Sequence, residues 1–105
     1  MSSDFKYISE ITIQGLLAFD PEEKLSKTGN TFLKLSVTVK PKQGTTDYYF
    51  VTVFDSELFE SISELRKGDG VKVFGTFSVF SYTNKKGEPT IGLSIVASKL
   101  RGVQI

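Results

Sequence analysis

Tyr48, Phe50 and Phe54 in the run YYFVTVF, and Phe80 and Tyr82 in VFSYT, are five rings set among lysines: Lys34, Lys40, Lys42, Lys72, Lys85 and Lys86 lie in the segments around them. A strand alternates its side chains, so Tyr49, Val51 and Val53 share one face and Tyr48, Phe50, Thr52 and Phe54 the other. A half-buried strand needs only one apolar face, which the valines provide. Rings opposite them are platforms on which unpaired bases can stack, at about 1 to 3 kcal/mol per base, while lysines attract the phosphates. The competing use is packing, because a small barrel can cover part of its outer face and strands favour aromatics in any case. Tyr48 and Tyr82 lie beside the lysine-bearing segments PKQG and NKKG, which favours binding. Phe74, between Val73 and Gly75 in mid-strand, favours packing or a subunit contact.

Other chemistries lack their residues. The 105-residue chain has no cysteine and no histidine, so disulfides, thiolate nucleophiles, imidazole bases and the usual zinc or haem ligands are not expected. Glu22 with Glu23, and Glu57 with Glu60, are adjacent or on a solvated helix face, whereas general acid–base catalysis needs a sheltered pair with separated pKa values. KKGEP reads as a hairpin turn and not as a phosphate-cradling loop. The expectation is a binding protein without cofactor or metal, not an enzyme.

Net charge is +1, but it is unevenly spread. Residues 55–69 hold five acids and two bases, a local −3, so the remainder carries +4. A moderately basic body is therefore masked by one acidic segment, and basic faces attract phosphate chains. No apolar run approaches the roughly 18 residues that span a bilayer, and MSSDFKYISE lacks the pattern of a signal peptide. A cytoplasmic protein with no membrane partner is expected.

The length suits one domain over 1–105, without repeats or linkers. Alternation predicts a first strand over 7–17, broken or bent at Gly15, then a charged loop AFDPEEKLSKTGN. A second strand over 32–40 alternates Leu33, Leu35, Val37 and Val39 with polar residues, and forms a hairpin with a third over 48–54. Leu58, Ile62 and Leu65, with Asp55 or Ser56 as cap and Gly68 as stop, predict a helix over 56–67 of about three turns. A fourth strand over 71–82 and a fifth over 90–97 follow, with Val71, Val73, Gly75, Phe77 and Val79, and then Ile91, Leu93, Ile95 and Ala97, on their core faces. Five strands with a helix between the third and fourth predict an all-β OB-fold, a partly open barrel whose second and third strands and connecting loops bind oligonucleotides or oligosaccharides.

The runs ITIQGLLAFDPE, KTGNTFLKLSVTV, DYYFVTVFDSELFESISELRKGDGVKVFGTF and SYTNKKGEP, in this order and spacing, resemble the bacterial and phage single-stranded DNA-binding protein family from Ile11 to Ala97. The resemblance assigns base stacking to Tyr48, Phe54 and Tyr82, where family members usually hold tryptophan, phenylalanine and tryptophan. It places a further aromatic near Pro41, where this chain has none. It implies sequence-tolerant binding of single-stranded DNA during replication, recombination and repair, in a bacterial cell or phage-infected host. It also implies a homo-oligomer, dimer or tetramer, that pairs first strands along 7–13. Replication or recombination proteins are implied partners, recruited through an acidic C-terminal tip. The sequence ends at Arg101-Gly102-Val103-Gln104-Ile105, so the expectation, taking that as the natural terminus, is a short form lacking that tail. The alternative reading is an OB-fold protein-interaction subunit, of a primosome or other complex, whose aromatic face docks another protein; lysines between the rings favour nucleic acid.

Overall fold

The computed structural model describes residues 9–40 and 44–104. Six strands run in the order β1 (Glu10–Leu17), β2 (Glu22–Leu25), β3 (Thr31–Val39), β4 (Asp47–Val53), β5 (Gly70–Thr83) and β6 (Pro89–Val103). A 3₁₀ turn, Ser56–Leu58, and a short helix, α1 (Phe59–Ser63), lie between β4 and β5. The sheet order is β1-β5-β6-β4-β3-β2. All pairs are antiparallel except β4 with β6. The ring closes where Leu16 and Leu17 of β1 pair with Thr38 and Val37 of β3, which makes the partly open OB barrel.

Alternation explains the core. Ile13 and Leu17 of β1, Leu33, Leu35 and Val37 of β3, Val51 and Val53 of β4, Val71 and Val73 of β5, and Ile95, Ala97 and Leu100 of β6 are all buried. Each of these five strands contributes one face to this interior, as a small barrel requires. Ile62 of α1 plugs it, with Leu58 and Leu65 packed alongside.

β1 runs through Gly15 without a break. What the glycine provides is proximity: a Cβ there would stand 2.1 Å from the Thr38 carbonyl oxygen, so only a bare backbone lets β1 reach β3 at the seam. The seam is further tied by Ala18 N–H donating to the Ser36 carbonyl at 2.8 Å and by the Thr38 hydroxyl donating to the Leu16 carbonyl at 3.2 Å.

Three sequence expectations need correction. The helix is far shorter than 56–67. Asp55 caps the 3₁₀ turn by accepting from Glu57 N–H at 2.9 Å. Arg66 then closes the other end, its guanidinium donating to the carbonyls of Ser63 and Leu65 and its N–H to Asp69 Oδ2. Carbonyls satisfied by a side chain need no further helical turn. Within the loop read as AFDPEEKLSKTGN, residues Glu22–Leu25 form β2. All four are exposed, so the strand carries no hydrophobic alternation; it is held by pairing with the Thr31–Lys34 half of β3's edge, which β1 leaves free.

The third correction concerns β5 and β6, which are 14 and 15 residues long. β4 pairs with β6 only from Leu93 to Val96. Past Leu93 the two long strands continue as a free ribbon, so Val79 and Ile91, expected in the core, are 56% and 68% exposed. The ribbon's tip is ordered by Asn84, whose Oδ1 accepts from the N–H groups of Lys86 and Glu88, with Gly87 at φ 80° completing the turn.

Candidate nucleic-acid interface

The outward side chains of β4 are Tyr48, Phe50 and Thr52, with Phe54 just beyond the strand. β4 has β3 on one side and β6 on the other, so this row lies at the middle of a continuous outer face. Its cross-strand neighbours are known from the register: Thr38 opposite Tyr48, Ser36 and Ser94 flanking Phe50, Lys34 and Val96 flanking Thr52. These flanks are small or polar apart from Val96, which leaves the rings standing above them.

The hairpin ribbon adds Phe80 and Tyr82 to the same face. Phe50 and Phe80 have ring centroids 6.0 Å apart, and Phe80 and Tyr82 5.7 Å. Both pairs are tilted, at 51° and 37°, a geometry aromatic pairs favour. Tyr48 and Phe54 stand on the same face to either side of Phe50 along the chain and are 56% and 58% exposed. The five rings thus form one track from the end of β4 to the ribbon. A groove of about 410 Å³ runs beside it, lined by Lys34, Phe50, Thr52, Phe80, Tyr82 and Ser94.

The cations differ in placement. Lys34 lies in the groove wall. Its register partner on β2 is Glu22, but Glu22 is taken by Lys24, Nζ to Oε2 3.1 Å. That is the one ion pair among the described residues, so Lys34 has none. Lys40 is exposed just past the end of β3, on the Tyr48 side by alternation. Lys85 and Lys86 are exposed at the ribbon tip, a few residues beyond Tyr82. Lys42 lies outside the described residues. Lys72 is set apart: it is eight residues from Phe80 along β5, roughly 26 Å at strand rise, and lines a different hollow with Thr12, Phe74, Lys99, Leu100 and Arg101. No group of three or more acidic, histidine or cysteine side chains able to hold a metal occurs among the described residues.

Three residues join the track that sequence reasoning did not name. Phe32 packs on Phe54, centroids 5.5 Å apart; the alternation Phe32, Lys34, Ser36 already marks it as outward. Phe19, 62% exposed, lines the hollow that also contains Tyr48, Phe50 and Tyr82; a phenylalanine just before the Asp20-Pro21 turn is its signal. Gly92 lies directly opposite Phe80. It is buried, although its neighbour Ile91 is exposed, because the Phe80 ring covers it.

Residues 8–103 match the model of the single-strand binding protein family. The chain is 33% identical over 90 residues to the single-stranded DNA-binding protein of Chlamydia caviae, covering 83% of this chain and 56% of that protein. It is 26% identical over 103 residues to the counterpart from Deinococcus radiodurans, covering 91% of this chain and 34% of the other. The chain therefore spans little more than half the length of the chlamydial relatives it matches. Among solved structures, a mitochondrial single-stranded DNA binding protein from S. cerevisiae superposes with a TM-score of 0.75 at 26% identity, covering 94% of this chain and 98% of that one. A Plasmodium falciparum SSB in complex with ssDNA shares the fold, with a TM-score of 0.73 at 20% identity over 96% of this chain and 99% of that one.

Proposed function

Since this chain belongs to the single-strand binding protein family, we propose that it binds single-stranded DNA with little sequence preference, stacking bases on Tyr48, Phe50, Phe54, Phe80 and Tyr82. Lys34 and Lys40 hold phosphates beside β4, and Lys85 and Lys86 hold them at the ribbon tip, with Lys42 as a further phosphate contact. The observation that carries this reading is the row of solvent-facing rings, joined Phe50 to Phe80 to Tyr82 and bordered by a lysine without an ion pair. Every base has a π face, and the groove offers no enclosed hydrogen-bonding pocket, so stacking is tolerant of sequence. The activity is binding and protection of unpaired strands during replication, recombination and repair in the cytoplasm, not catalysis.

Self-association through first strands fits the same picture. Along Glu10–Gly15, β1 pairs with β5 on one side, whereas its contact with β3 begins only at Leu16. A strand edge of that length invites a second copy of the chain. Proteins of replication or recombination are the partners such a complex would serve.

The test is titration with oligo-dT while following tyrosine emission, which no tryptophan obscures because the chain has none. Saturable quenching is expected. Unchanged emission with no mobility shift at low salt would overturn the proposal.

A further inference from the structure

Phe19 lies in the connection between β1 and β2, yet the backbone on both sides of it is tied to other parts of the barrel. Leu17 N–H donates to the Asp69 carbonyl at 2.9 Å, and the Leu17 carbonyl accepts from Gly68 N–H at 2.8 Å. Ala18 N–H donates to the Ser36 carbonyl at 2.8 Å. On the other side of the ring, Asp20 Oδ1 accepts from Lys67 N–H at 2.7 Å, and Pro21 has its φ fixed by its own ring. A largely exposed phenylalanine is therefore held in one place by its neighbours.

That place is beside the track. Ala18 bonds to Ser36 along one edge of β3, and Phe50 is the register partner of Ser36 across the other. The backbones carrying Phe19 and Phe50 therefore stand roughly two strand spacings apart, about 10 Å, with Ser36 between them. Two hollows, of about 170 and 440 Å³, are each lined by Phe19, Ser36 and Phe50. Open space thus separates the two rings. Tyr48 and Tyr82 border the larger hollow and Lys34 the smaller. The acids of the smaller hollow are engaged, Asp20 with Lys67 N–H and Glu22 with Lys24. Rings on two sides, a small hydroxyl side chain between them and a lysine at the edge suit a flat base and its phosphate.

We infer that Phe19 is a further stacking ring of the interface, taking one base over Ser36 between itself and Phe50, and that Asp20 is the residue that positions it. This inference rests on the proposed binding of single-stranded DNA. A ring fixed before binding loses little freedom when a base arrives, so more of the stacking energy is expressed as affinity.

The test uses Phe19→Trp, because the chain has no tryptophan and a single indole then reports on this position alone. As a dT oligomer is added, indole emission should be quenched to saturation in step with the mobility shift. A shifted protein with unchanged indole emission would overturn the inference. Phe19→Ala should weaken binding by roughly 5- to 150-fold, the loss of about one stacked base, with the urea midpoint unchanged; wild-type affinity would equally overturn it. Two changes at Asp20 separate positioning from charge. Asp20→Asn retains an acceptor for Lys67 N–H and removes a negative charge near the phosphates, so binding should hold or tighten. Asp20→Ala removes the same charge and the acceptor together, so weaker binding reports lost positioning, and the loss should vanish in a Phe19→Ala background. Equal affinities for the two Asp20 variants would remove Asp20 from the inference. Failure of the wild-type protein to bind the oligomer would overturn the proposed function itself, and this inference with it.

Discussion

The Phe80 ring lies on the backbone of Gly92 across the β5–β6 ribbon, so close that a Cβ at Gly92 would stand 2.3 Å from the ring's Cζ and 2.7 Å from both Cε atoms. The glycine is what lets Phe80 lie low and meet Phe50 on one side and Tyr82 on the other. The track across β4 and the ribbon is continuous because of this contact.

Replacing Gly92 with alanine should lift Phe80 out of line. Binding of oligo-dT should weaken by roughly one stacked base, about 1 to 3 kcal/mol, while the circular-dichroism spectrum is retained, because Gly92 lies on the ribbon outside the core. In a Phe80→Ala background the same substitution should add little. Additive losses would show that Gly92 acts elsewhere.

Tyr48→Ala and Phe54→Ala should each weaken binding by about 1 to 3 kcal/mol. Both rings are more than half exposed, so urea midpoints should shift little, as for most surface substitutions. Losses of several kcal/mol in stability would mean the rings hold the barrel together.

Lys34→Ala should reduce the salt dependence of binding, lowering the slope of log K against log[salt] by about 0.7, the contribution of one phosphate contact on a single strand. Lys24→Ala, on the neighbouring β2 strand, is the informative control: it breaks the pair with Glu22 and frees that carboxylate to engage Lys34, its register partner. The slope should fall there too. A slope unaffected by either change would remove Lys34 from the interface.

At the barrel seam, Gly15→Ala should cost several times more stability than an average surface substitution, because its Cβ would meet the Thr38 carbonyl oxygen and push β1 off β3. Ile95→Ala, at the fully buried centre, should cost about 2 to 5 kcal/mol. Equilibrium urea unfolding measures both.

Much of this was legible in the chain because period-two alternation carried it. Leu33, Leu35 and Val37 against Lys34 and Ser36 identified one strand and its buried side, and the opposition of rings to valines around Phe50 identified the track. β2 was not legible: Glu22, Glu23, Lys24 and Leu25 are held by backbone pairing alone, which leaves no side-chain pattern. The helix was overread because Leu58, Ile62 and Leu65 do face the core, yet the chain reaches them with one short helix and a turn closed by Arg66. Val79 and Ile91 kept the core's alternation beyond the point where β4 ends, and alternation cannot say where a neighbouring strand stops. Gly92 required the hairpin register: only counting back from the Asn84 turn places it under Phe80.

The most direct measurement is chemical-shift mapping of the protein as a short dT oligomer is added. Stacking on the track predicts the largest changes at the rings of Tyr48, Phe50, Phe54, Phe80 and Tyr82, moving together to saturation, with the buried side chains of Val51, Val73 and Ile95 nearly still. Changes centred on another surface, with those five rings unmoved, would contradict the account.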